Sequence, residues 1–141
     1  MENKTTGDLA NELMSQASLD SYLKDNQPYF SNGSIVEHLT VLCGKHPIAK
    51  NSLARKAGMS EVYLHQVLSG RRNPSRDRLL CLCIAMEATI EETQTLLQHA
   101  RYARLYPKNR RDAIISHGII HHTDLAEIND KLFAENEKTL F

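Results

Sequence analysis

Glycine and proline are scarce in this chain, six and four of 141 residues. With 41% of residues apolar and 24% charged, that scarcity excludes collagen-like, low-complexity and disordered classes. Long hydrophobic runs are also missing. The longest, Leu79 to Met86, spans eight residues, against the roughly 18 that a membrane span needs. The polar start, Met1 to Asp8, lacks the apolar core of a signal peptide. Cysteine is limited to three, an odd number, and Cys81 and Cys83 stand two apart, facing nearly opposite sides of a helix. These absences predict a soluble chain without a disulfide framework, at home in a reducing cytoplasm, with no membrane partner. A single domain, or a small one with helical extensions, fits the length.

Catalytic and metal-binding patterns are missing too. There is no Gly-x-Ser-x-Gly, phosphate-binding glycine loop or His-Glu-x-x-His, and no paired carboxylates stand beside a nucleophile. The cysteines lack zinc-knuckle spacing, and the adjacent His121 and His122 diverge in any regular structure. Neither a catalytic residue, a metal nor a cofactor is predicted, and the chain reads as a non-enzyme.

Net charge is zero, from 17 basic and 17 acidic residues, but its distribution is uneven. Residues 1–44 hold two Lys against six acids (−4), residues 45–111 thirteen Lys/Arg against five acids (+8), and residues 112–141 two Lys against six acids (−4). Screening acts over about 8 Å in physiological salt, so a polyanion meets the basic middle rather than the neutral total.

No repeat of 20 to 50 residues and no alternating strand pattern is present, whereas helical spacing recurs. Leu9, Leu13, Leu19 and Leu23 mark an opening pair of short helices, followed by a loop from Asp25 to Gly33. Ser34 caps a helix with Ile35, Leu39, Leu42 and Cys43 on one face and Glu37 completing a capping box, ended by Gly44 and Pro47. Helices follow over Ala49–Ala57 and Glu61–Leu68, the second capped by Ser60 and closed by Gly70. After Pro74 and Ser75 comes a helix with an inward face of Leu79, Leu82, Cys83 and Met86. Thr89 and Glu92 open another, with Ile90, Leu96, Leu97 and Ala100 inward. Beyond residue 100, Pro107 reads as the first turn of a helix through Ile119, and Thr123 as the cap of one carrying Leu125, Ile128, Leu132 and Phe133. Tyr102 and Tyr106 read as an i, i+4 packing pair.

The informative stretch runs from Leu53 to Ser75. Leu53 and Ala54 pack inward, the small Ala57 allows close helix crossing, and Gly58 allows the positive φ that ends the first helix. Leu64 and Val67 pin the second helix to the same core, leaving Glu61, Val62, His65, Gln66 and Ser69 outside. The second helix's N-terminus offers N–H groups to phosphate, and a single α-helix fits the DNA major groove. Arg71 and Arg72 follow Gly70, where the loop can lie against a phosphate backbone.

Leu53-Ala54, Gly58, Ser60 and Gly70-Arg71-Arg72-Asn73-Pro74-Ser75 match, in register, the pattern of the Cro/cI-like (XRE) helix-turn-helix family, which the chain resembles over about residues 34–100. The continuation from Arg101 to Ala113 is similar to a C-terminal extension found in a subset of bacterial XRE regulators. The resemblance implies an all-α fold: a five-helix lambda-repressor-like DNA-binding domain over 34–100, between helical extensions over 1–33 and 101–141. It also implies that Glu61, Val62 and Gln66 face base edges, while Lys50, Ser60, Arg71, Arg72 and Asn73 approach phosphates. Glu61 and Val62 depart from the polar readers of many relatives; Glu can accept from cytosine N4 and Val can touch a thymine methyl.

The expectation is a sequence-specific transcriptional regulator, a repressor, that inserts the Glu61–Leu68 helix into double-stranded DNA as a homodimer. The alternative is a helix-turn-helix-fold adaptor that binds another protein, with the terminal extensions as the docking surface. Arg110-Arg111 fits either a solvated helix start or a further phosphate contact.

Overall fold

A computed structural model of the chain describes residues 5–15, 19 and 34–141. The second opening helix toward Leu23, the Asp25–Gly33 loop and the Ser34–Glu37 capping box fall outside the described positions and side chains. Among the described residues the fold is all-α: eight helices and no strand. No described helix is long and apolar enough to cross a membrane.

Helix α1 (Thr6–Ser15) opens on a reciprocal cap, in which the Thr5 amide donates to Asp8 Oδ2 (3.1 Å) and the Asp8 amide to Thr5 Oγ1 (3.0 Å). Five helices follow between residues 34 and 99: α2 (Ser34–Lys45), α3 (Lys50–Lys56), α4 (Glu61–Leu68), α5 (Arg76–Met86) and α6 (Ile90–His99). Ser60, Ser75 and Thr89 cap the last three, accepting from the Tyr63, Arg78 and Glu92 amides, and Glu92 returns a bond to Thr89 as a full capping box. Helix α2 runs through Gly44 to Lys45 and buries Leu39 and Leu42. It packs on α6, where His38 stacks on His99 (ring centroids 3.8 Å apart) and His46 lies 2.8 Å from Glu92.

Helix α5 is the axis of the molecule. Only Leu79, Leu82, Cys83 and Met86 were expected to face inward, but every residue from Leu79 to Met86 is buried. The reason is that α5 packs against α3 and α6 as well as α7 (Arg110–Ile120) and α8 (Leu125–Ala134), leaving no solvent face along that run. One continuous apolar core therefore extends from Leu39 to Leu140. Burying each large side chain contributes about 2 kcal/mol.

The C-terminal part corrects several expectations. Helix α7 starts at Arg110, capped by Asn109, not at Pro107, which lies in the preceding turn. Asp124, not Thr123, caps α8; the Thr123 amide instead donates to the Gly118 carbonyl (2.9 Å), closing α7. Leu125, Ile128 and Leu132 share the inward face, whereas Phe133, the next position around the wheel, is 77% exposed. Tyr102 and Tyr106 do not share a helix face, because α6 stops at His99 and the chain runs non-helically over 102–105. Gln94 holds that segment by accepting from the Leu105 amide (2.7 Å) and donating to its carbonyl (2.8 Å). Where α7 crosses α8, a Cβ on Gly118 would lie 2.5 Å from Ile128, so only glycine fits there.

Two Arg-Asp dipeptides lock the C-terminal hairpin to α5. Arg76 donates to both oxygens of Asp112 (3.2 and 3.1 Å), and Arg111 donates to both oxygens of Asp77 (3.1 Å each). Asp112, 7% exposed, also accepts from the Tyr106 amide (3.0 Å), so a buried carboxylate is fully used. Arg111 further donates to the carbonyls of Lys138 and Thr139, and the Leu140 amide donates to Asn129. The segment so held ends with the Phe141 ring lying on Gly58, in the turn between α3 and α4. Gly58 has φ of +68° there, a conformation that favours glycine, and a Cβ would also push the exposed Phe141 ring aside.

Candidate nucleic-acid interface

The α3–turn–α4 unit is built as its residues dictate. Leu53, Ala54, Ala57, Leu64 and Val67 are all buried, so α4 is anchored along one side only. Glu61, Val62, His65 and Ser69 remain on the outer side, exposed, with Gln66 half-buried. Val62 is 68% exposed, which shows that the Phe141 contact at Gly58 stops short of this face. Ser60 Oγ accepts the Tyr63 amide (3.0 Å), while the amides at the very start of α4 have no acceptor within the helix. That end carries a partial positive charge that favours an anion.

At the other end of α4, Gly70 (φ +81°) turns the chain back, and the amides of Arg71 and Arg72 donate to the Gln66 carbonyl (2.9 and 3.2 Å). Arg72 then folds over the helix: its Nε donates to Gln66 Oε1 (3.0 Å) and its guanidinium stands 5.6 Å from the centre of the Tyr63 ring. Arg78, from α5, stands 5.5 Å from the same ring and donates to the Gly58 carbonyl (3.3 Å). Tyr63 is thus a platform for two guanidinium groups, an attraction of about 0.5–1 kcal/mol each at a partly exposed site. Neither Arg71 nor Arg72 has an ion pair with a carboxylate among the described residues.

The structure brings together Ser60, Glu61, Val62, Gln66, Arg71 and Arg72 around one helix. Asn73 follows in the exposed loop. Lys50 stands apart at the start of α3, where its charge acts on Cys43; no contact ties it to the others. Tyr63 and Arg78 were missed in the sequence. The signal available was an aromatic residue inside a basic segment, with arginines on both sides of the loop, but pairing them needs the tertiary fold.

Arg110 and Arg111 do not present free cations. Arg111 is taken up by Asp77, and Arg110 pairs with Glu135 and approaches Glu137 (3.8 Å). Burial pushes the Cys81 and Cys83 thiols up to about 12, and raises Cys43 as well. All three are free, protonated thiols with a packing role. Among the described residues no three His, Cys, Asp or Glu side chains group to hold a metal ion.

Comparison with protein-family models, with curated proteins and with solved structures finds no match for this chain.

Proposed function

We propose that this protein is a double-stranded-DNA-binding regulator that inserts α4 into the major groove. The observation that carries this reading is the outer face of α4: it is uncovered, and Arg71 and Arg72 leave its end without an acidic partner among the described residues. The helix start, Arg71 and Arg72, with Asn73, meet the phosphates, and these contacts set register without reading sequence. Glu61 accepts from a cytosine N4 and Val62 packs on a thymine methyl, while the Gln66 amide suits adenine. Gln66 also holds Arg72, so reading a base with Gln66 requires Arg72 to re-pair. Two copies place their α4 helices in successive major grooves, one turn or about 34 Å apart. Repression of a promoter follows if such a site overlaps it.

Fluorescence anisotropy on promoter fragments tests this. Affinity should fall steeply between about 50 and 200 mM salt, and the Arg71→Ala/Arg72→Ala double variant should flatten the slope by about two. Undetectable or salt-insensitive binding overturns the reading. The adaptor reading draws on one observation, the apolar Val62 at the centre of the exposed face; a stoichiometric protein partner lost in Val62→Lys, with no DNA bound, would establish it instead.

A further inference from the structure

Between the end of α6 and the loop that follows Arg72 lies a cavity of about 360 Å³. Its lining mixes polar and apolar surface, with the half-buried Ile35 of α2 and the fully buried Leu79 of α5 among its aliphatic members. Two flat rings, those of His99 and Tyr102, contribute to its walls, and Asn73 and Arg101, both exposed, stand at the mouth. The Tyr102 hydroxyl donates to the Pro74 carbonyl (2.6 Å), tying the α6 side of the cavity to the loop side. No carboxylate is among the described residues that line it. Arg101 makes no ion pair among the described residues, so its guanidinium fork is available.

We propose that this cavity binds a small planar organic acid, one ring bearing one carboxylate, with Arg101 as the residue that grips the acid group. The volume lies at the lower end of ligand sites, which fits a single-ring molecule. Arginine binds a carboxylate through two parallel hydrogen bonds, and the Asn73 amide supplies a further donor. The Tyr102 ring and the edge left to His99 by its stacking on His38 suit a flat ring, and the mixed lining suits one that carries a polar group. A second step rests on the DNA-binding reading: a carboxylate held beside Asn73 puts negative charge where a phosphate would approach, so occupancy weakens the grip on DNA.

The test is amide NMR of the full ¹⁵N-labelled chain, titrated with benzoate, with benzyl alcohol as its neutral counterpart and with inorganic phosphate. Benzoate should give saturable shifts at Asn73, Arg101 and Tyr102, at least about tenfold tighter than benzyl alcohol. Arg101→Gly should weaken benzoate by about tenfold or more, and Arg101→Lys by less. Arg101 has φ of +63°, a conformation glycine prefers, so Arg101→Gly keeps the fold while removing the fork. Absence of saturable benzoate shifts overturns the proposal. Phosphate binding as tightly as benzoate also overturns it, identifying a plain anion contact of the kind a nucleic-acid backbone makes. Benzoate shifts without any DNA binding leave the site standing and remove only the DNA reading. With both present, benzoate should lower DNA affinity in wild type and not in Arg101→Gly.

Discussion

Arg71 and Arg72 leave the end of α4 with no acid to pair with among the described residues, whereas Arg110 and Arg111, the same dipeptide further along, open α7 against carboxylates from two other parts of the chain. The local sequence hardly separates the two pairs, since each lies close to a helix end within the basic middle segment. What separates them is tertiary: Asp77 on α5 and Glu135 after α8 reach one pair and not the other. The +8 of the middle segment therefore overstates the charge on offer. Part of it is neutralised from within, some of it by the acidic C-terminal stretch, and Arg71 and Arg72 are among the cations that keep no carboxylate partner among the described residues.

The largest expected effect falls on the paired side. Asp112→Ala strands Arg76 and the Tyr106 amide in a mostly buried place and should cost about 3 kcal/mol in urea denaturation, as breaking a buried pair does. Arg111→Ala, which also frees the Lys138 and Thr139 carbonyls, should cost about 2 kcal/mol and leave the salt slope of DNA binding unchanged. If Arg111→Ala lowers that slope as Arg71→Ala does, the contrast between the two dipeptides is broken. The Arg71→Ala/Arg72→Ala variant should do the opposite, weakening DNA about 10- to 100-fold with stability moved by no more than about 0.5 kcal/mol.

Gln66→Ala sharpens the comparison within α4. It frees Arg72 and removes an amide from the outer face, so preference among DNA sites should change by about 1–2 kcal/mol in competition anisotropy, with the salt slope kept. The smallest effect concerns acid. His38 sits below its ordinary pKa because of burial first and then the field of His99, with Glu37 opposing. A depressed histidine lends stability above its unfolded value of about 6.5 and loses it as pH falls toward the folded value. The urea midpoint should therefore drop modestly between pH 7.5 and 5.5, and less so in His38→Gln. Glu92 acts in a lower window: burial alone would raise it, but the Thr89 and His46 hydrogen bonds and the His46 charge win, so its contribution is lost only below the ordinary carboxylate range.

Local signals carried most of the fold. Ser60, Ser75 and the Thr89–Glu92 box cap where the sequence puts them, because a cap is decided by residues within one turn. The errors arise where two neighbouring residues could each do the job, as with Thr123 and Asp124, or where long-range packing decides. Phe133 follows three correctly placed apolar positions yet points to solvent, and the tyrosines at 102 and 106 lose their helix to the Gln94 bridge. At the candidate site, the outer face of α4 was readable from period alone. The Tyr63 platform and the Gln66–Arg72 bond were not, since each depends on how Gly70 folds the chain back over the helix.

The reciprocal Arg-Asp lock between α5 and α7 also determines what ionic strength does to this molecule. Enclosed charges are shielded by dissolved ions far less than open ones, so raising salt over the range about 50 to 200 mM should strip the outer arginines of their pull while the hairpin stays bolted in place. Salt thus works as a reversible eraser of one set of cations, and a flat circular dichroism signal across the same range would certify that the scaffold had not moved.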